Sequence, residues 1–312
     1  MNVKEAARRW LPWLVAAAIL AVLVREIRLE PLREAFQHGA YLALSLFIVF
    51  ELVITLPVDA FATRAALDAV GIPRPFLEVM YARGASYLLG LLSYIAGQGG
   101  MGFYLVRTGV PVARSAGAVL FLMVANGIVL VLLGATGLAV EMARGGLAGV
   151  PTELLALTIA AALAGTVVYG IVIALRPKWL ARYSLLAPLF DAGVRGNARA
   201  VLARFPHMLL LAVLHWLAFR IWGIAVPAVP GLALNPIVLL LSALPVTPGG
   251  LGTTQALQVL FFSPWAAGAT ADDRAASVLA FSLVHHVVNL IVQAALGLAC
   301  LAPFRRRVPR IP

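Results

Sequence analysis

Apolar residues run along this chain in long unbroken blocks, and charged residues collect in the short segments between them. The blocks lack the one-in-two alternation of barrel strands, so the membrane crossings they predict are helices. Crossings are expected over Trp10–Val24, Ala40–Leu56 with Pro57 as its stop, Val112–Val140, Leu154–Leu175, Met208–Val229 and Val278–Leu301. The first is short enough that Arg9 and Arg25 must snorkel to the two surfaces, and no small-residue cleavage site follows it, so it reads as a retained helix.

Two further blocks are interrupted from within. Pro236–Val246 and Thr253–Phe262 would each reach only about 15 Å, roughly half of the hydrocarbon core, and Thr247-Pro248-Gly249-Gly250-Leu251-Gly252 joins them. Ser86–Ala96 is followed in the same way by Gly97-Gln98-Gly99-Gly100-Met101-Gly102 and a brief run to Arg107. Each reads as two half-helices meeting at a glycine elbow. Non-helical backbone survives at membrane depth only where protein buries it or a wet cavity receives it, so such elbows point to a binding site, the alternative being a kinked packing helix. Between these features, Val58–Arg83 mixes Arg64, Arg74 and Arg83 with Asp59, Asp68 and Glu78, and is expected as amphipathic helix near one surface.

Composition fixes the class. At 62% hydrophobic and 12% charged residues over 312 positions, with mean hydropathy +0.97, the chain falls far from soluble domains, which carry about 25% charged residues. A net charge of +11 is spread over the segments between apolar blocks, where topology and anionic lipid headgroups account for it without nucleic acid. Cys300 is the one cysteine, which excludes an intramolecular disulfide and a cysteine-rich metal site.

The distribution of that charge orients the chain. The N-terminus, the connector at 176–204 and the tail from Arg305 to Arg310 are basic and expected in the cytoplasm; the loops at Glu141 and Asp272 lean acidic and are expected outside. The fold expected is an all-α polytopic membrane protein with about six spanning helices plus two re-entrant helical hairpins, a single domain in the inner cell membrane with both termini cytoplasmic. The loop with Arg25, Arg28 and Arg33 then lies outside, the weakest fit. In this topology the two hairpins enter from opposite sides, and the halves, approximately 10–140 and 154–302, form an inverted repeat. Local sequence agrees: Leu91-Leu92-Ser93 precedes Gly99-Gly100-Met101-Gly102 as Leu240-Leu241-Ser242 precedes Gly249-Gly250-Leu251-Gly252, and Arg114–Ala139 aligns without gaps on Arg274–Ala299.

No motif for covalent catalysis, a Walker loop or a zinc hydrolase is present, and neither cofactor nor metal is expected. His285 and His286 are adjacent and so point to different helix faces, which argues against joint metal ligation. Polar residues inside apolar blocks carry more information. Arg220 either snorkels to the outer interface or binds an anion such as a lipid phosphate. Glu51 needs an arginine or a hydrogen bond within the bundle, and Asn126 and Asn289 join Thr247, Thr253, Thr254, Gln255 and Gln258 as lining for a polar seam or as interhelical hydrogen-bonding groups.

The string Pro245-Val246-Thr247-Pro248-Gly249-Gly250-Leu251-Gly252, followed by Gln255 and a terminal span, resembles the P-x-T-P-G-G-L-G-x-x-E element of a flippase-like family that includes the membrane region of lysylphosphatidylglycerol synthase. The resemblance implies movement of lipid headgroups across the bilayer. Gln255 stands where that family usually has Glu, and Gly97-Gln98-Gly99-Gly100-Met101 stands where it usually has G-E-x-x-R, so two charges are missing. The chain ends at Pro312 without the soluble aminoacyl-transferase part, and aminoacylation is not expected. The function expected is a transporter handling lipids or lipid-linked anionic headgroups at mid-membrane. Its binding residues would be Gln98, Gly99, Gly100, Arg107, Arg220, Thr247, Gly249, Gly250, Thr253, Thr254 and Gln255, with Glu51, Asn126, His285 and Asn289 in support. Half-helix N-termini at Thr253 and after Gly102 would face the headgroup. The partners are membrane lipids. Alternative expectations are a non-transporting scaffold for an envelope lipid or glycan synthesis enzyme, and a membrane enzyme.

Overall fold

All regular structure among the described residues is helical. The computed structural model describes residues 3–27, 29–147, 149–150, 152–244 and 247–308, with side chains from Leu14 onward except that of Pro248. Of the positions weighed above, Arg28, Pro245, Val246, Arg310 and Pro312 lie outside the described residues, as do the side chains of Arg9, Trp10 and Pro248.

The first half comprises α1 (Val3–Ile27), α2 (Leu29–Gln37), α3 (Tyr41–Ala69), α4 (Phe76–Gly90), α5 (Tyr94–Arg107) and α6 (Val112–Ala143). The second comprises α7 (Thr152–Leu175), the short α8 (Lys178–Ala181) and α9 (Ala187–Asp191), α10 (Gly193–Trp222), α11 (Ala228–Ser242), α12 (Thr253–Phe262) and α13 (Ala271–Arg307). Among the described residues α3, α6, α7, α10 and α13 are long and apolar enough to cross a membrane, and the first expected crossing lies within α1. The protein is a multi-pass, all-α membrane protein.

Three departures from the sequence pattern bear on the site. Pro57 does not stop its helix: α3 runs through it to Ala69, because the residues beyond it, Asp59 and Thr63 among them, are buried against the bundle and hold the helix together. The crossing expected over Met208–Val229 is instead α10, which ends earlier where Gly223 takes a left-handed φ of 98° and closes the last turn. The first hairpin turns at residues 91–93, where Ser93 caps α5 by accepting the Ala96 N–H at 3.1 Å; Gly97–Gly102 lies inside α5, so no helix starts after Gly102. Those glycines serve close approach, since a Cβ at Gly97 would stand 3.0 Å from the Gly90 Cα across the hairpin.

Packing follows a reciprocal plan. Hairpin α4–α5 rests α4 on α13 and α5 on α6, while hairpin α11–α12 rests α11 on α6 and α12 on α13. Each hairpin therefore uses one long helix from its own half and one from the other. Small residues seat these crossings: Gly84 and Gly297 lie in the α4–α13 contact, against Cys300 and Leu88, and Gly134 and Gly137 in the α6–α11 contact, against Ile237 and Ala233. At the centre α3 lies along α10, and buried charged side chains sit on that seam.

Candidate functional site

Glu51, Thr55, Asp59 and Thr63 recur at every fourth position of α3, and all are buried. That spacing aligns them on one helix face. Helix α10 runs antiparallel along this face, so Glu51 meets His215 while Asp59 and Thr63 meet His207 and Arg204. Two ionic clusters result, about 12 Å apart along α3.

The first cluster is built around Asp59, which is 1% exposed. Its Oδ2 accepts from Arg83 Nε of α4 at 2.6 Å, and its Oδ1 accepts from Arg204 of α10. Arg204 also donates to Thr63 Oγ1 at 2.6 Å, Arg83 donates to Gln98 Oε1 of α5 at 3.1 Å, and His207 Nδ1 lies 3.9 Å from Asp59. Two guanidinium groups thus share one carboxylate, leaving a surplus of one positive charge where water is excluded. Arg204, 1% exposed, has no hydrogen-bond partner for its Nε among the described residues. A buried cation without full compensation is costly, and an anionic ligand entering here would lower that cost.

The second cluster joins Glu51, His215 and His285 of α13, with Gln258 of α12 beside His215. Each hairpin therefore delivers one glutamine to one cluster: Gln98 to the arginines and Gln258 to the histidines.

Of the residues expected to bind substrate, Gln98 sits in the first cluster, and Glu51 and His285 in the second. The α11–α12 elbow spends its polar groups on its own closure. Thr247 and Thr253 hydroxyls meet at 3.0 Å, Thr254 donates to Ser242 at 2.9 Å, and Gln255 accepts the Gly252 N–H at 2.6 Å. Gly249 and Gly250 hold left-handed φ values of 59° and 74°. Gly99 faces open space, Gly100 packs on Ser86, and Arg107 stands 5.7 Å over the Phe103 ring at the end of α5. Arg220 is exposed on α10. Asn126 donates to the Tyr94 hydroxyl at 3.3 Å, and Asn289 accepts from Gln293 at 3.0 Å.

The Gln255 contact is a cap: a side-chain acceptor for an N–H at the start of α12 that the helix cannot satisfy itself. Gln255→Ala is expected to cost about 1 kcal/mol, a few degrees in thermal midpoint for protein in detergent.

The elbow glycines do not converge on a side-chain site; the α3–α10 seam does. The expectation of a surface amphipathic segment over Val58–Arg83 fails because Asp59 and Arg83 are buried together, and Arg204 belongs to the bundle and not to a solvated connector. The signal for this was present in the four-residue ladder from Glu51 to Thr63, which extends across Pro57.

On the surface, Arg74 and Arg114 line a cavity of about 290 Å³ between the α3–α4 and α5–α6 loops. Arg74 donates to the Thr108 carbonyl at 3.1 Å and Arg114 to that of Val70 at 3.2 Å.

Residues 9–297 match the family described as the lysylphosphatidylglycerol synthase TM region. No curated protein matches the chain. The chain belongs to the lysylphosphatidylglycerol synthase membrane-region family.

Proposed function

We propose, from membership of this family and from the charge at Asp59, that the protein is a flippase-like transporter moving lipids or lipid-linked molecules with anionic headgroups between leaflets. The surplus positive charge shared by Arg83 and Arg204 carries this reading. Asp59 is ten residues from the end of α3 at Ala69 and Arg204 eleven from the start of α10 at Gly193, so the cluster lies about 15 Å in from the helix ends. A phosphodiester there would be bound by bidentate guanidinium groups in place of its water. The reading needs no covalent step, and the protein acts as a carrier and not as an enzyme.

The packing plan supports the inverted repeat on which alternating access would depend. With α3 matched to α10, α4 to α11, α5 to α12 and α6 to α13, the contacts of α4 with α13 and of α11 with α6 become equivalent, as do those of α3 with α13 and of α10 with α6. The displacement that carries Arg114 onto Arg274 also carries Gln98 onto Gln258. In this reading three crossings per half reverse the second half in the bilayer, the hairpins enter from opposite faces, and the basic segments favour cytoplasmic termini for a protein of the inner cell membrane. Arg74 and Arg114 then rim the cytoplasmic entry to the first hairpin.

Purified protein in liposomes is expected to expose fluorescent phosphatidylglycerol from the inner leaflet to an external quencher. Arg204→Gln, which leaves Asp59 paired with Arg83, is expected to slow this at least tenfold with the thermal midpoint nearly kept. Folded wild-type protein that moves none of a panel of anionic lipids would overturn the reading. One observation favours a second reading, a scaffold for an envelope-synthesis enzyme: α7 carries exposed Leu154, Leu157, Val167, Val168 and Ile171, a face open to a partner helix. Stable co-purification of an enzyme, lost when that face is made bulky, distinguishes it.

A further inference from the structure

The second cluster lies outside the anion-binding reading, and its chemistry is different. Glu51 Oε1 stands 4.0 Å from His215 Nδ1 and its Oε2 3.9 Å from His285 Nε2, so one carboxylate faces two imidazoles from two other helices. The rings meet edge to face with centroids 4.6 Å apart. Glu51 is 6% and His285 5% exposed, and neither Glu51 Oε2 nor His285 Nε2 has a hydrogen-bond partner among the described residues. Gln258 Oε1 is likewise unpartnered, while its Nε2 lies 3.4 Å from His215 Nε2. The cluster holds acceptors and exchangeable imidazole nitrogens but no fixed cation.

We propose that Glu51, His215 and His285 form a proton-binding site. A proton taken from water forms an N–H on one imidazole, the Glu51 carboxylate balances the new charge, and release to water restores the neutral ring. The groups facing the site are few. Helix α3 offers Glu51, with Asp59 and its arginines two turns away; α10 offers His215, with His207 and Arg204 further along; α13 offers His285 with His286 next to it; α12 offers uncharged Gln258.

The surroundings make the site one-sided. One turn beyond His215 and His285, Phe219 and Phe281 pack with centroids 4.3 Å apart, and Phe262 joins Phe219 at 4.4 Å. These aromatic rings close the end of the seam toward the α12 side. In the other direction the buried stripe continues through Thr55 to Asp59. The proton site therefore lies in line with the arginine cluster. Protonation adds one positive charge about 12 Å from the arginines, which at an effective dielectric of about 20 strengthens anion binding there about tenfold.

The proposal goes beyond the transport reading and does not rest on it. Full-length protein carrying ¹⁵N-histidine, in nanodiscs, is titrated between pH 3 and 8 by NMR, with signals assigned through single His→Gln variants. His215 and His285 are expected to titrate as a coupled pair, and Glu51→Gln to move their midpoints down by at least one pH unit, a tenfold loss of proton affinity. Should Glu51→Gln fail to fold, His285→Gln gives the same test through the His215 midpoint, which is expected to move. Rings that remain neutral to pH 3, or midpoints indifferent to these substitutions, overturn the proposal. None of these readouts requires lipid movement, so a failed proton site and a failed transport reading give separate results.

Discussion

Asp59→Asn is expected to destabilise the protein by about 3–5 kcal/mol, enough to remove most of the monodisperse fraction recovered in mild detergent. The substitution is nearly isosteric, so packing does not explain the loss; charge does. Arg83 and Arg204 would remain in the bundle with no carboxylate between them, and Arg204 already lacks a partner for Nε among the described residues. The prediction has an internal control, because removing a whole buried ion group costs far less than orphaning part of it. The triple variant Asp59→Leu, Arg83→Met, Arg204→Met is therefore expected to recover most of the monodisperse protein while failing to move lipid. Asp59→Asn protein that unfolds at the wild-type temperature would mean that the arginines are already compensated by something other than Asp59.

Gly137→Ala is expected to cost about 1–3 kcal/mol, although alanine is the better helix former by about 1 kcal/mol. A Cβ at this position would stand 2.5 Å from the Ala233 Cα, so the obstacle is backbone and cannot rotate away. The α6–α11 crossing would have to open. Gly165→Ala supplies the contrast: its Cβ would meet nothing within 4 Å, and the exchange is expected to be neutral or to raise the thermal midpoint slightly. Equal effects at the two glycines would remove the close crossing as the explanation.

The helices were largely legible in the sequence because lipid imposes a length and a composition that few other environments require. Helices α6 and α7 begin and end within three residues of their apolar blocks, and α12 coincides with Thr253–Phe262. The misreadings share a cause. Pro57, the charges of Val58–Arg83 and the basic residues near Arg204 were each assigned their usual local meaning: a helix stop, a surface segment and a solvated connector. Tertiary packing reversed all three, since Asp59 is shared by Arg83 and Arg204 and none of the three charges is tolerable alone. The glycines of the second elbow were legible as a break, whereas Gly97–Gly102 lie inside α5. Gly90, Ser86 and Ser242 approach these glycines from the facing arm of the same hairpin, and only Ala16 comes from a distant helix that sequence spacing does not connect.

The reciprocal seating of the hairpins also sets a timetable for synthesis. Helix α4 leans on α13, which ends at Arg307, 217 residues after Gly90 (307 − 90). At about 5–20 residues per second the first hairpin waits roughly 10–40 s for the surface on which it rests. Arg204 likewise emerges long after Asp59 and Arg83. Until Arg204 emerges the nascent chain holds an incomplete charge cluster, and until α13 emerges it holds a first hairpin without its second support. A chain stalled before α13 is therefore expected to leave both hairpins, through α4 and α12, without the helix that seats them.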